Sequence, residues 1–545
     1  MLGILIVLSV VLFAVGLYLF NTADFQQPSD NIDWSRYELI IDTDTLSACH
    51  FGSRKLNEYG LWEMRIAGNP IDRGAAYGLM NSKLLENQES VFVEQIHQMI
   101  PSEYWVEFLH KLILIFNRNM ANYIPIEYRQ EIYAMSLSCS DKYNGYGSPY
   151  VRQLNYHAAH DIGHAMQEYM LVGCSSFATW GTNSEDGNLL IGRNFDFYMG
   201  TKFAENKLIL FVEPTEGYDF VSVTWPGMMG VLSGMNEEGL TVTINAAKGA
   251  LPVSSAMPIS LLARHILQYA SDISEAYEIA EQYKTFVSES LMIGSVKDGY
   301  VAVIEKTPER IALYKAPNER IVCTNHYQSA MFADDEYNKE NMQTSDSPYR
   351  MERINELLDS MVPMNVEKAV YILRNRYGVG NKDIGIGNEK SVNQFIAHHS
   401  VVFQPDKLRM WVSTSPWQLG AFVCYDLHDV FGKNQQVESY AIDSFTIPAD
   451  TASVNNDCKR VVKYREQYNI LMQAEKDLQR VSDDFIMEYI NNNPHYYQVY
   501  NSLGDYMHIV GDNSSAILYW QQALSMEIPK MEEKMQIINK IERYD

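Results

Sequence analysis

The chain has 545 residues, enough for two or more domains or one large domain with additions. Its 68 acidic residues outnumber 43 basic ones for a net charge of -25, and no cluster of Lys and Arg stands ready to neutralise phosphates, which argues against a nucleic-acid binder. With 46% hydrophobic residues the chain can bury a substantial core, and the acidity reads as a solvated surface.

Residues 1–20, MLGILIVLSVVLFAVGLYLF, are uncharged and, at about 1.5 Å per residue, match a bilayer core in length. The usual basic n-region is missing and the flank Asn21-Thr22-Ala23-Asp24 is a poor small-x-small site, so an uncleaved membrane anchor is expected over its rival, a cleaved signal; no lipobox cysteine follows. No comparable apolar run follows it, so the body is expected outside the cytoplasm, periplasmic or extracellular.

Glu63-Met64-Arg65-Ile66-Ala67-Gly68 followed by Gly74-Ala75-Ala76-Tyr77-Gly78-Leu79 reads as a strand passing through a Gly-rich turn into a helix, with helical periodicity over 91–115 and 127–135. His157, His160, Asp161 and His164 would share one helix face. That spacing can bind zinc, which makes a metal-dependent hydrolase a distant second class; HEXXH is absent and Gly163 interrupts the helix, so a structural or cleft-lining role is preferred.

Gly173-Cys174-Ser175-Ser176-Phe177, continued through Gly187-Asn188-Leu189-Leu190-Ile191 into Gly192-Arg193-Asn194-Phe195-Asp196, reads as two strands that bring a thiol, a guanidinium and a carboxylate to neighbouring positions. By residue identity alone Cys174 is a buried strand cysteine; the Arg-Asn-Phe-Asp continuation reverses that reading. Strands are expected at 208–212 and 220–224, then a hairpin around Asn236-Glu237-Glu238-Gly239 whose second strand ends at Asn245. An amphipathic helical stretch covers 259–283, and strands at 290–295, 301–305, 311–314 and 321–324 lead to Asn325. Pro348 suits the first turn of a helix that carries Arg350 and Arg353, and a last strand pair covers 400–404 and 409–414.

Beyond residue 449 the strand signals stop. Tyr500, Leu503, Gly504, Gly511, Ala516, Trp520 and Ala523 fall close to tetratricopeptide spacing, and this single unit is expected to pack on the body or on the preceding helix rather than serve as a free protein-docking module. The six cysteines (49, 139, 174, 323, 424 and 458) show no CxxC spacing, so neither a zinc ribbon nor a redox motif is encoded; outside the cytoplasm some could pair, with Cys174 kept free.

The segments from about 60 to 430 resemble the cysteine N-terminal-nucleophile (Ntn) hydrolases, specifically the acyl-coenzyme A:isopenicillin N (6-aminopenicillanic acid) acyltransferase-like group and the related bile-salt (choloylglycine) hydrolases and penicillin V amidases. The resemblance implies autocatalytic cleavage between Gly173 and Cys174. A free α-amino group, with a pKa of about 8, then serves as base within the nucleophile's own residue, and no catalytic histidine is needed. Should the chain stay uncut, His160 or His164 would be the candidate base. By the same resemblance Arg193 and Asp196 orient and charge-balance the thiol, Asn245 and Asn325 face the oxyanion or substrate, and Arg350, or else Arg353, is a cation near the site. His398-His399-Ser400 departs from the family, which places a Cys or Ser near that strand.

The implied fold is α+β, a four-layer αββα sandwich with an N-terminal apolar helix and a C-terminal helical, tetratricopeptide-like appendage. The segments are an anchor or signal (1–20), a pre-cleavage segment (32–173), a catalytic core (174–448) and a helical region (449–545). The implied reaction is hydrolysis of a linear amide in a small N-acylated molecule through an acyl-thioester, without cofactor or metal; acyl transfer to an amine is the close alternative and a non-catalytic scaffold a distant one. Water is preferred as acceptor because an extracytoplasmic site would rarely meet acyl-coenzyme A.

Overall fold

The computed structural model describes residues 32–165, 172–252, 254–431 and 440–544, together with residues 16 and 27–28. Among these, β-branched and aromatic runs form two large sheets in a mixed α+β fold. The eleven-stranded sheet runs from Leu39–Asp42 to Ile311–Lys315 and is antiparallel except where Trp62–Gly68 lies parallel to Leu208–Pro214. That pairing knits the segment before Cys174 into the sheet made by the segment after it. The seven-stranded sheet is ordered Arg320–Cys323, Val172–Thr179, Leu190–Phe197, Ala397–Gln404, Arg409–Ser413, Phe422–Asp426, Ala441–Ile447, all antiparallel.

Three apolar cores separate four layers. Ile209, Phe211 and Val303 of the first sheet meet Ile191, Val401 and Val412 of the second. The outer face of the first sheet packs on helices Pro70–Met99, Ile126–Ser136 and Ile259–Tyr269, and that of the second on Ser347–Met361 and Val366–Leu373. Burial of these side chains contributes roughly 1.5–3 kcal/mol each, so the sheets are rigid platforms for what they carry.

Two expectations change in detail. Gly74 and Gly78 lie inside the helix that Asn69 caps and Pro70 opens, not in a turn before it. A Cβ at Gly78 would lie 2.6 Å from the Met135 carbonyl oxygen and one at Gly74 would overlap that of Glu131, so the glycines let the crossing helix approach backbone to backbone. The stretch 259–283 is two helices, because Asp272 caps a new one at Ile273–Gln282 by accepting from the Glu275 amide.

The expected anchor at 1–20 lies outside the described residues, Gly16 apart. Among the described residues no helix is long and apolar enough to cross a membrane, so the anchored, extracytoplasmic placement is corrected: nothing in the structure supports it. All six cysteines are free. After the last strand come helices Lys459–Lys476, Asp483–Asn492, Tyr497–Ile509, Asn513–Leu524 and Met531–Tyr544, with Gly504 set against the Trp520 indole. They meet the body along the segment 383–395, where Asn493 exchanges two 2.8 Å hydrogen bonds with the Ile386 backbone and Lys390 pairs with Glu527 at 2.8 Å.

Candidate active site

Strand alternation sorts the residues around Cys174 onto two faces. Cys174, Ser176 and Ala178 point toward the eleven-stranded sheet, whereas Ser175 and Phe177 point toward helix Ser347–Met361. On the neighbouring strand Arg193 and Phe195 face the first sheet, and Asn194 faces the helices. Gly173 is directly opposite Asp196, and Cys174 opposite Phe195. A Cβ at Gly173 would lie 2.9 Å from Gln394 Nε2, so the Gln394 side-chain amide packs directly over this glycine.

Cys174 is fully buried and touched on three sides. Arg193 Nη2 donates to its sulfur at 3.4 Å, Arg350 Nη1 donates to its carbonyl at 2.7 Å, and its amide donates to Asn325 Oδ1 at 3.1 Å. Burial pushes the thiol up from its ordinary value, and the Arg193 charge opposes this only in part. Arg350 also donates to Ser175 Oγ and Asn325 Oδ1 and is steadied by Asp346 at 2.8 Å. Arg353 points elsewhere, to Asn375, Asn381 and Glu356, so of the two arginines only Arg350 reaches the cysteine.

Asn325 is pinned from every side. Its amide donates to Ser347 Oγ at 2.7 Å, its carbonyl accepts from Asn341 Nδ2 at 2.6 Å, and its Nδ2 donates to the Ala246 carbonyl at 2.8 Å. Asn245 stands one step away: Nδ2 donates to the Cys323 carbonyl at 3.0 Å and Oδ1 accepts from Ser176. In this intact chain it positions the strand end that presents Asn325 and makes no hydrogen bond to Cys174.

Asp196 is fully buried, and neither carboxylate oxygen has a hydrogen-bond partner among the described residues. Burial raises its pKa to about 7, against the pull of Arg350 and Arg193. The carboxylate stands on the neighbouring strand in register with Gly173. Sequence reasoning missed Ser233 and Gln394, since each is over 50 residues from Cys174 and carries no local motif; it placed Ser347 at the start of the helix that carries Arg350 and missed that its hydroxyl accepts from the Asn325 amide.

The histidine cluster divides. His157 donates from Nδ1 to the Gln153 carbonyl and accepts from the Met229 amide at Nε2, and burial lowers its pKa to about 4. Asp161 accepts from the Ile259 amide at 2.9 Å at the start of a helix. Both are engaged structurally; the side chains of His160 and His164 lie outside the described ones. Among the described residues no group of three His, Cys, Asp or Glu gathers as for a metal ion. Phe197, Trp225 and Met228, with Phe203 and Phe92, line an apolar cavity of about 40 Å³.

A cysteine whose sulfur, carbonyl and amide are held by Arg193, Arg350 and Asn325 respectively, near the start of a strand in a double-sheet α+β fold, outlines an enzyme of acyl transfer or amide hydrolysis. Residues 182–415 match the family described as "Acyl-coenzyme A:6-aminopenicillanic acid acyl-transferase", and over that segment the chain is related to that family. An uncharacterised protein of Archaeoglobus fulgidus is 25% identical over 404 residues, 66% of this chain and 65% of that protein, so the match spans slightly under two thirds of the relative. Among solved structures, a Caenorhabditis elegans N-acylethanolamine-hydrolyzing acid amidase ortholog is similar at 17% identity and a TM-score of 0.32, covering 43% of this chain and 93% of that one. A mutant of the conjugated bile acid hydrolase from Clostridium perfringens is similar at 13% identity and a TM-score of 0.32, covering 47% and 93%.

Proposed function

We propose that this protein is a cysteine Ntn hydrolase, with the αββα sandwich of that class over 32–448, that cleaves its own Gly173–Cys174 bond and then hydrolyses linear amides of small N-acylated molecules. The single observation that carries the reading is the placement of Cys174: its amide nitrogen lies 3.1 Å from Asn325 Oδ1, its sulfur beside Arg193, and the orphaned Asp196 carboxylate in register with Gly173. In the precursor the thiol attacks the Gly173 carbonyl carbon, the C–N bond to Cys174 breaks, and water hydrolyses the resulting thioester. The nitrogen freed is the one that Asn325 already accepts from. As an α-amine it takes the thiol proton, returns it to the leaving amine of the substrate, and finds in Asp196 a carboxylate partner. Arg350 holds the Cys174 carbonyl, and Asn325 and Asn245 shape the wall where the oxyanion develops.

Acyl transfer to an amine is the second reading, favoured by the family description that residues 182–415 match. With no support for an extracytoplasmic location, avoidance of acyl-coenzyme A no longer argues for water; water is preferred because it is always present. The C-terminal helices, tetratricopeptide-like in spacing, belong in this account to the body they pack on. Profiling the purified protein against N-acyl amino acids, bile-salt conjugates and penicillins, with and without an amine acceptor, tests the reading. Release of free acid at an unchanged rate supports hydrolysis, and acylated acceptor as the main product overturns it.

A further inference from the structure

Arg193 is buried and held almost wholly by neutral acceptors. Nη1 donates to the Leu232 carbonyl at 2.9 Å and to Ser233 Oγ, and Nη2 donates to the Ile244 carbonyl and to the Cys174 sulfur. Its Cζ lies 4.5 Å from the centre of the Phe195 ring, which stacks in turn on His399 at 5.2 Å. The aim of the guanidinium at sulfur therefore depends on a few hydrogen bonds rather than on a carboxylate clamp.

One of those bonds is the head of a chain. Ser233 Oγ lies 2.8 Å from His399 Nε2, and His399 Nδ1 lies 2.9 Å from His398 Nδ1. Arg193 can only donate, so the Ser233 proton has His399 Nε2 as its acceptor among the described residues. The His399 proton is then on Nδ1, His398 accepts it, and the His398 proton is on Nε2, which has no partner among the described residues. The reverse assignment would strand both the Ser233 hydroxyl proton and His398 Nε2, one group more. Burial, with Arg193 and Lys207 as the charged neighbours, keeps both imidazoles neutral. A hydroxyl that gives its proton onward is a stronger acceptor for the guanidinium behind it.

Resting on the reading of Cys174 as nucleophile, we propose that Ser233 and His399, with His398 at the end of the chain, are positioning residues that hold the Arg193 guanidinium against the Cys174 sulfur. They touch neither thiol nor substrate and act through Arg193 alone. This gives a function to His398 and His399.

Iodoacetamide labelling of the six cysteines in the purified protein, read by peptide mass spectrometry across pH 6 to 9, tests this in wild type, Ser233→Ala, His399→Phe and His399→Gln, compared at equal processing of Gly173–Cys174 by intact mass and with melting temperature as the check on folding. The groups around the thiol that contribute to its titration are Arg193, Asp196 and Glu289. The wild-type Cys174 rate profile should have its midpoint at lower pH than those of Cys323 and Cys424, which are buried like it but have no guanidinium donating to the sulfur among the described residues. Ser233→Ala and His399→Phe should slow Cys174 by roughly tenfold or more, the effect of a lost hydrogen bond to a charged group, and move the midpoint of its rate profile to higher pH. His399→Gln, whose amide oxygen can still accept from Ser233, should recover most of the rate. An unchanged Cys174 rate in either Ser233→Ala or His399→Phe that folds overturns the positioning proposal. A wild-type Cys174 midpoint no lower than those of Cys323 and Cys424 would instead sink the nucleophile reading beneath it.

Discussion

Asp196→Asn, made in a Cys174→Ala background so that no cleavage intervenes, should stabilise the protein at pH 8 while the same change in the unaltered chain abolishes turnover. Asp196 is buried with both oxygens unpartnered, and its folded-state pKa is raised from 3.8 to about 7. A carboxyl raised in this way favours the folded chain below pH 3.8, and that advantage is lost progressively as pH rises through about 7. Three pH units correspond to about 4 kcal/mol of opposition to folding at pH 8. Asparagine removes the charge but buries an amide whose unmet hydrogen bonds return about 1–3 kcal/mol. The net gain is on the order of 1–3 kcal/mol, or about 1–3 °C in melting temperature for a cooperative unit this long. Melting both proteins at pH 5 and pH 8 isolates the carboxyl, since every other titrating group cancels in the difference. Asparagine should gain on the parent as pH rises. A constant difference, or a variant less stable at pH 8 than at pH 5 relative to its parent, would refute the account of Asp196 as a strained, uncompensated carboxyl.

Two further outcomes follow from the hydrogen bonds. Arg350→Ala should reduce kcat/KM by at least about 100-fold by freeing the Cys174 carbonyl and Asn325 Oδ1, whereas Arg353→Ala, which loses only Asn375, Asn381 and Glu356, should stay within about tenfold of wild type; steady-state kinetics on one substrate separates them. Asn245→Ala should lower stability by about 1–3 kcal/mol, because the Cys323 carbonyl and Ser176 hydroxyl lose buried partners; it should lower activity as well, and full activity at reduced stability would confine Asn245 to structure.

The residues from 173 to 196 were legible because a two-strand unit places its side chains by simple alternation, and the cross-strand register of Gly173 with Asp196 needs no long-range information. Asn325 was legible as the end of a strand. What holds it was not: Ser347 and Asn341 reach it from separate helices, a contact that only tertiary packing creates. The contact of Ser233 with His399 escaped for the same reason, the two being 166 positions apart along the chain and joined only where the two sheets face each other. Gly74 and Gly78 misled because glycine ordinarily marks a turn, while here it serves a helix crossing. The break at Asp272 escaped because the apolar period continues across it in two helices that both face the core.

Intact-mass analysis of the purified chain, wild type beside Cys174→Ala, tests self-activation of Cys174 most directly. Wild type should resolve into two pieces meeting at Gly173 and Cys174, held together in the native state by sheet pairing such as Trp62–Gly68 with Leu208–Pro214, and the variant should remain one full-length, inactive chain. A wild type that remains a single uncut chain and yet turns over N-acylated substrates would contradict the account.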